Sequence, residues 1–264
     1  MGNEIQTRNQ IRALILDMDG VLWRQSQPIG NLAKIFETIQ DKNLKVALVT
    51  NNATLTIQQY LDKLAGYGVY LKAEQIINSP QAVSYYLHQK FPNGGRIFII
   101  GEDGLHQEII NHGYAIAEKD VDAVIVGMDR QLNYDKLCRA TINIRNGAAF
   151  IATNADRTFP TPEGLVPGVG AILALLETAS DVKPIVLGKP EPILYEIAMQ
   201  NLQTQVHETL IVGDRLETDI LGAQKIQAPC AVVLSGVSTL EDVQKWNPPP
   251  DYVFQDLQEL VDFL

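Results

Sequence analysis

The chain has 264 residues, 46% hydrophobic and 20% charged, which allows one sizeable core or a core with a smaller second domain. Its net charge of -10 argues against a nucleic-acid or anionic-membrane partner, so an anionic substrate must be met by local positive charge. Two distant cysteines (Cys138, Cys230) and four scattered histidines (His88, His106, His112, His207) form neither a disulfide framework nor a zinc pattern.

Residues 1–12 are polar and unlike a signal peptide, and no apolar run reaches membrane-spanning length. The expected location is cytoplasmic. Ala13-Leu14-Ile15-Leu16 reads as a first strand, ending at Asp17-Met18-Asp19-Gly20. Residues two apart on a strand point the same way, so Asp17 and Asp19 converge on one site. Two adjacent anions each disfavour the other's ionised form. The pair asks for a metal, a shared proton or a nearby Lys.

Leu32, Ile35, Phe36 and Ile39 follow helical spacing. Val46-Ala47-Leu48-Val49 is a second strand, ending at Thr50-Asn51-Asn52. A helix with Tyr60, Leu61 and Leu64 comes next, closed by Gly66 or Gly68. In the middle of the chain, residues 96–101, 123–127 and 149–152 read as three strands separated by helical segments. Residues 80–183 are therefore expected to form an inserted domain, with 1–79 and 184–264 as the outer one.

Late in the chain, Ile185-Val186-Leu187 ends at Gly188-Lys189-Pro190, and a helix with Ile193, Leu194 and Ile197 follows. Leu210-Ile211-Val212 ends at Gly213-Asp214-Arg215. Residues 231–234 and 252–254 complete the expected outer sheet, with Pro248-Pro249-Pro250 as an extended loop. Apolar strands alternating with helices predict an α/β fold: a doubly wound, Rossmann-like parallel-sheet core carrying an inserted smaller α/β domain.

Four motifs then end four expected strands of the outer domain: Asp17/Asp19, Thr50-Asn51-Asn52, Lys189, and Asp214 with Asp219. Ligands of open parallel sheets bind beyond the strands' carboxyl ends, so the four are expected to meet. Each residue type suits phosphoryl transfer. A carboxylate attacks phosphorus to form an aspartyl-phosphate. Asp17 and Asp214 are hard oxygen ligands suited to Mg²⁺. Lys189 is a point charge for a phosphoryl oxygen, and Thr50 offers a hydroxyl. The turn after Thr50 leads toward a helix whose free N–H groups favour an anion. Asp19 suits the acid and base steps. Asp219 either orients Lys189 or a metal-bound water, or complements a helix dipole.

Together these segments resemble the four signature motifs of the haloacid dehalogenase superfamily. The inserted stretch is similar to the large α/β cap of its 4-nitrophenylphosphatase-like branch, through Ala152-Thr153-Asn154-Ala155-Asp156 and Pro167-Gly168-Val169-Gly170-Ala171. That branch includes phosphoglycolate and pyridoxal phosphate phosphatases. The resemblance implies a Mg²⁺-dependent phosphatase of small phosphorylated metabolites, with a substrate-selecting cap. Asp17 would be the nucleophile and Asp19 the general acid/base. Mg²⁺ would be held by Asp17, the backbone carbonyl of Asp19, and Asp214. Thr50 and Lys189 would bind the phosphoryl group, Asn51 and Asn52 would line the site, and Asp219 would support Lys189. The chain departs from many members in having Ala53 in place of Ser, and Ile57 near the position of a basic residue.

Asn154 and Asp156 either face the substrate or form a turn. Gly127-Met128-Asp129-Arg130 has the same two readings, and Arg157 reads as a solvated surface side chain. The resemblance allows a homodimer through the cap. Two other functions compete: a phosphomutase on the same scaffold, and a non-catalytic phosphate-ligand-binding or signalling protein. A dehalogenase would need neither Asp19 nor Asp214. Receiver domains of response regulators carry their phosphoacceptor on a later strand.

Overall fold

The run Ala13–Leu16 is the fully buried inner strand of a six-stranded sheet. The protein is described here by a computed structural model covering residues 11–161 and 163–264, without the side chains of 159–161. The expectation about residues 1–12 therefore falls almost wholly outside the described residues. Across the sheet the order is Tyr252–Phe254, Cys230–Val233, Thr209–Gly213, Ala13–Leu16, Lys45–Thr50, Ile76–Asn78. Neighbours from Tyr252–Phe254 through Lys45–Thr50 run parallel. The inner strands are built on runs of Val, Ile, Leu and Ala, as burial on both faces demands.

From Ala13–Leu16 the chain first builds the sheet toward Lys45–Thr50, and later builds it the other way from Thr209–Gly213. The reversal lies between Ala13–Leu16 and Thr209–Gly213, where Leu16 pairs with Val212. Asp17 and Asp214 thus leave the carboxyl ends of the two strands that flank the switch point, where open α/β sheets place their ligands. Helix Leu32–Asp41 starts at Asn31, whose side chain accepts from the Lys34 amide at 3.2 Å, and it buries Leu32, Ile35 and Ile39. Helix Ile193–Leu202 buries Leu194, Tyr195 and Ala198.

By packing, the chain divides into two units. The first holds residues 11–50, 60–77 and 189–264, and the second holds 51–59 and 78–188. The segment 51–59, placed by the expected boundaries with 1–79, packs in the second unit. There Ser79 Oγ and Asn154 Nδ2 both donate to the Asn51 carbonyl, at 2.7 and 2.9 Å.

The second unit has its own all-parallel sheet, ordered Ile185–Val186, Ala149–Ala152, Ala123–Val126, Arg96–Ile100, Ala115–Ile116. Helices Tyr134–Arg145 and Val169–Ser180 close its core around Phe98, Ile144, Phe150, Leu173 and Leu176. One expectation is corrected here. Ile185–Val186 is an edge strand of this second sheet, in register with Ile151 and Ala152, and not a strand of the outer sheet. Three apolar residues suit either sheet, and the Leu187 amide's bond to the Ala152 carbonyl at 3.0 Å decides for the second. A hairpin of Thr158–Thr161 with Gly164–Pro167 was not anticipated.

The fold class is the expected one: α/β, with a Rossmann-like parallel sheet and a second, smaller α/β sheet. Among the described residues no helix is long and apolar enough to cross a membrane.

Candidate active site

Lys189 is the hub of the first unit's charged cluster. It is 4% exposed, and its ammonium donates to Asp17 Oδ1 at 2.5 Å, Asp219 Oδ1 at 2.6 Å and the Val49 carbonyl at 3.2 Å. Burial alone would lower its pKa, but Asp17 and Asp219 reverse this and hold it well above the ordinary value. Asp17 shows the opposite balance. Burial raises its pKa well above the usual range, Lys189 pulls it down, and Asp219 and Asp214 push it up again. Of the two functional readings of Asp219, contact with Lys189 is the one found. Its side chain comes from a π-helical turn, Leu216–Ile220, and its Oδ2 also accepts from the Arg215 amide at 3.2 Å.

Asp214 lies in a cradle of backbone. Its Oδ2 accepts from the Val237 amide at 2.7 Å, while its own carbonyl accepts from the Ser238 amide at 3.0 Å. A Cβ on Gly20 or Gly236 would overlap the Asp214 carboxyl, and Gly20 has a φ of +89°, so only glycine suits that turn. Burial, then Asp219, raises the Asp214 pKa to about 7. Its Oδ1 is buried with no hydrogen-bond partner among the described residues. Oxygens of Asp17, Asp214 and Asp219 lie within 4.8 Å of one another. With all three carboxylates ionised, one ammonium leaves a net charge of two negatives, which one divalent cation would neutralise. A hard-oxygen set with an orphaned buried acceptor fits such an ion.

Asp19 is exposed, and the Trp23 indole N–H donates to its Oδ1 at 3.0 Å. Crowding by protein raises its pKa, against the opposing pull of Lys63 and the Trp23 bond. Thr50 is 2% exposed at the end of its strand, beside the buried Tyr60 hydroxyl, whose ionisation burial suppresses. Residues 51–56 separate Thr50 from the expected helix, Ile57–Gly66.

The remaining expected residues lie in the second unit, where the structure shows turn chemistry. Asn52 Oδ1 accepts from the Thr54 amide and hydroxyl at 2.9 and 2.8 Å. Asn154 Oδ1 accepts from the Asp156 amide at 3.1 Å. Asp129 is bound by Lys136 at 2.6 Å, Arg130 pairs with Glu102, and Arg157 is exposed. Sequence reasoning missed Trp23, Tyr60, Lys63 and the Ser235-Gly236-Val237-Ser238 loop. The loop did carry a signal, because it is a Gly/Ser segment at the carboxyl end of another parallel strand.

A family model for haloacid dehalogenase-like hydrolases matches residues 14–115, and a second, for HAD-like hydrolases, matches 186–260. An acid sugar phosphatase of Staphylococcus aureus is 36% identical over 96% of this chain and 97% of its own. The crystal structure of a 4-nitrophenylphosphatase from Thermotoga maritima superposes with a TM-score of 0.92 and 32% identity, covering 97% of this chain and 98% of that one. A glycerol phosphate phosphatase from Mycobacterium tuberculosis, in complex with magnesium, gives 0.89 at 31% identity, over 96% of this chain and 77% of that one.

Proposed function

The chain belongs to the haloacid dehalogenase-like hydrolase family and is a phosphoric monoester hydrolase; from that premise we propose that it hydrolyses small-molecule phosphomonoesters, sugar phosphates among them, through an aspartyl-phosphate on Asp17, with Mg²⁺ as metal. The observation that carries this reading is the buried Asp17–Lys189–Asp219 cluster beside the orphaned Oδ1 of Asp214.

Asp17 attacks phosphorus with a carboxylate oxygen, and the ester oxygen leaves. Lys189 eases ionisation of the buried Asp17 against the pull of burial and offers positive charge to a phosphoryl oxygen. Asp219 holds the Lys189 ammonium in place from the far side. Asp17, the Asp19 backbone carbonyl and Asp214 would hold the metal, which would supply Lewis-acid neutralisation of negative charge. Asp19 gives a proton to the leaving oxygen and later takes one from water. Thr50 donates its hydroxyl to the phosphoryl group, and Asn51 and Asn52 line the phosphoryl site. The second unit selects the leaving group, with Asn154 and Asp156 as its substrate-facing pair. The setting is cytoplasmic, and the family resemblance allows a homodimer through the second unit.

The test is phosphate release from 4-nitrophenyl phosphate and a panel of sugar phosphates. Activity is expected with Mg²⁺ and lost with a chelator. Asp17→Asn is expected to abolish turnover while leaving the thermal melt cooperative, and acid-quenched wild type is expected to carry phosphate on Asp17. Sugar-phosphate isomerisation without phosphate release would make the chain a mutase. Full activity in Asp17→Asn would falsify the assignment of the nucleophile.

A further inference from the structure

We propose that Trp23 is a positioning residue that fixes which oxygen of Asp19 carries the transferred proton, an inference that rests on the acid–base role proposed for Asp19. Trp23 is 1% exposed and stands in a short hairpin, Trp23–Arg24 with Gln27–Pro28. Its backbone folds back on the loop it ends. The Gly20 amide donates to the Trp23 carbonyl at 2.7 Å, and the Trp23 amide donates to the Met18 carbonyl at 3.3 Å. This closure brings the indole N–H to Asp19 Oδ1 at 3.0 Å.

The ring itself is clamped. The Lys63 ammonium lies 3.7 Å from the ring centroid and also donates to the Gln25 carbonyl at 3.1 Å. Tyr67 packs at 6.1 Å between centroids, with its hydroxyl donating to the Ser26 carbonyl at 2.6 Å. Among the described residues, no other hydrogen bond reaches the Asp19 carboxyl.

The consequence is chemical. An indole nitrogen only donates, so Oδ1 must remain an acceptor whether Asp19 is ionised or neutral. The proton is thereby confined to Oδ2. As Asp17 bonds to phosphorus and the ester P–O bond breaks, Oδ2–H passes its proton to the departing oxygen, which leaves as an alcohol. When water attacks the phosphorylated Asp17, Oδ2 takes the proton of that water, the Asp17 carboxylate is freed and inorganic phosphate leaves. Without the indole the carboxyl rotates, and both oxygens compete for the role.

The experiment compares kcat/KM for an alkyl phosphate, whose leaving group needs a proton, with 4-nitrophenyl phosphate, whose leaving group is stable as an anion. Trp23→Phe keeps an aromatic ring beneath Lys63 and removes the N–H together with the rest of the indole's second ring. Its loss on the alkyl ester is expected to exceed that on the nitrophenyl ester about tenfold, a fraction of the general-acid effect that Asp19→Asn removes. Equal losses in Trp23→Phe, with Asp19→Asn still discriminating, overturn the role of Trp23 and leave that of Asp19 standing. No discrimination in Asp19→Asn overturns the acid–base reading itself. A second measurement is independent of how Trp23→Phe folds. In indole-labelled protein, Asp19→Ala should move the Trp23 indole proton resonance upfield and leave Trp246 in place. An unmoved Trp23 resonance overturns the proposal.

Discussion

Gly236 lies so close to Asp214 that one added methyl group would occupy the space of the Asp214 carboxylate. The Asp214 carboxylate fits there, with Oδ2 accepting from the Val237 amide, only because Gly236 carries no side chain. Gly236→Ala must therefore displace the carboxylate or the loop. Overpacking of this kind costs about 1–3 kcal/mol of stability. The greater effect falls on the metal, with apparent Mg²⁺ affinity weakened about 10–100-fold. Activity titrated against Mg²⁺, alongside a denaturant melt, measures both. Unchanged metal dependence would separate Asp214 from the cation.

Lys189→Met leaves Asp17 and Asp219 facing each other in a buried site without their shared ammonium. Removing one member of a buried ion pair costs about 3–5 kcal/mol. Loss of the charge directed at a phosphoryl oxygen is expected to lower kcat by about 10²–10³. Urea unfolding and steady-state kinetics report the two losses separately. A variant as stable as wild type would mean that water already screens the pair.

The metal-free protein should show an unusual dependence of stability on pH. Asp214 titrates near 7 in the folded chain, and Asp17 is raised as well. Burial is the main cause of the raised Asp214 value; among its neighbours Asp219 raises it further, and the Val237 amide, Arg215 and Lys189 lower it. A folded pKa above the unfolded one gives stability that is full below the unfolded pKa and lost as pH rises through the folded pKa. The metal-free melting temperature should thus fall between about pH 5 and 8 through these groups. A divalent cation replaces the proton, so the rise in Tm on adding Mg²⁺ should be larger at pH 8 than at pH 5. Scanning calorimetry at the two values, with and without Mg²⁺, decides the sign.

Asn154 is buried in the second unit and ties the Asn51 carbonyl to the Asp156 amide. The Asn51 carbonyl keeps its bond from Ser79 Oγ when Asn154 is truncated. Asn154→Ala is therefore expected to cost only about 1 kcal/mol, the net value of an ordinary hydrogen bond. A thermal melt tests that figure. A loss of kcat/KM far beyond the loss of stability would instead make Asn154 a substrate contact.

The sheet that carries the site was legible because its inner strands are unbroken apolar runs ending in polar motifs. Ala13–Leu16 and Thr209–Gly213 could be read in this way, and their adjacency followed from the ligand rule for parallel sheets. Ile185-Val186-Leu187 has the same local character but joins the other sheet, because pairing partners are chosen by tertiary register. Asp219 could not be assigned from its position alone. A first-turn carboxylate suits a dipole as well as a cation, and the contact that decides comes from a residue 30 positions away. Trp23 went unread for a similar reason. Its apolar bulk suited a core position, and nothing local announced that its one polar atom meets Asp19. The short strands Trp23–Arg24, Gln27–Pro28 and Ala115–Ile116 lack the length for any periodic signal.

Lys189 joins Asp17 across 172 positions of chain, and Asp214 follows later still. A polypeptide interrupted before its last third would present the reactive carboxylate with neither counter-ion nor companion ligand. The ammonium and the companion carboxylates reach Asp17 only once early and late segments of the chain have met.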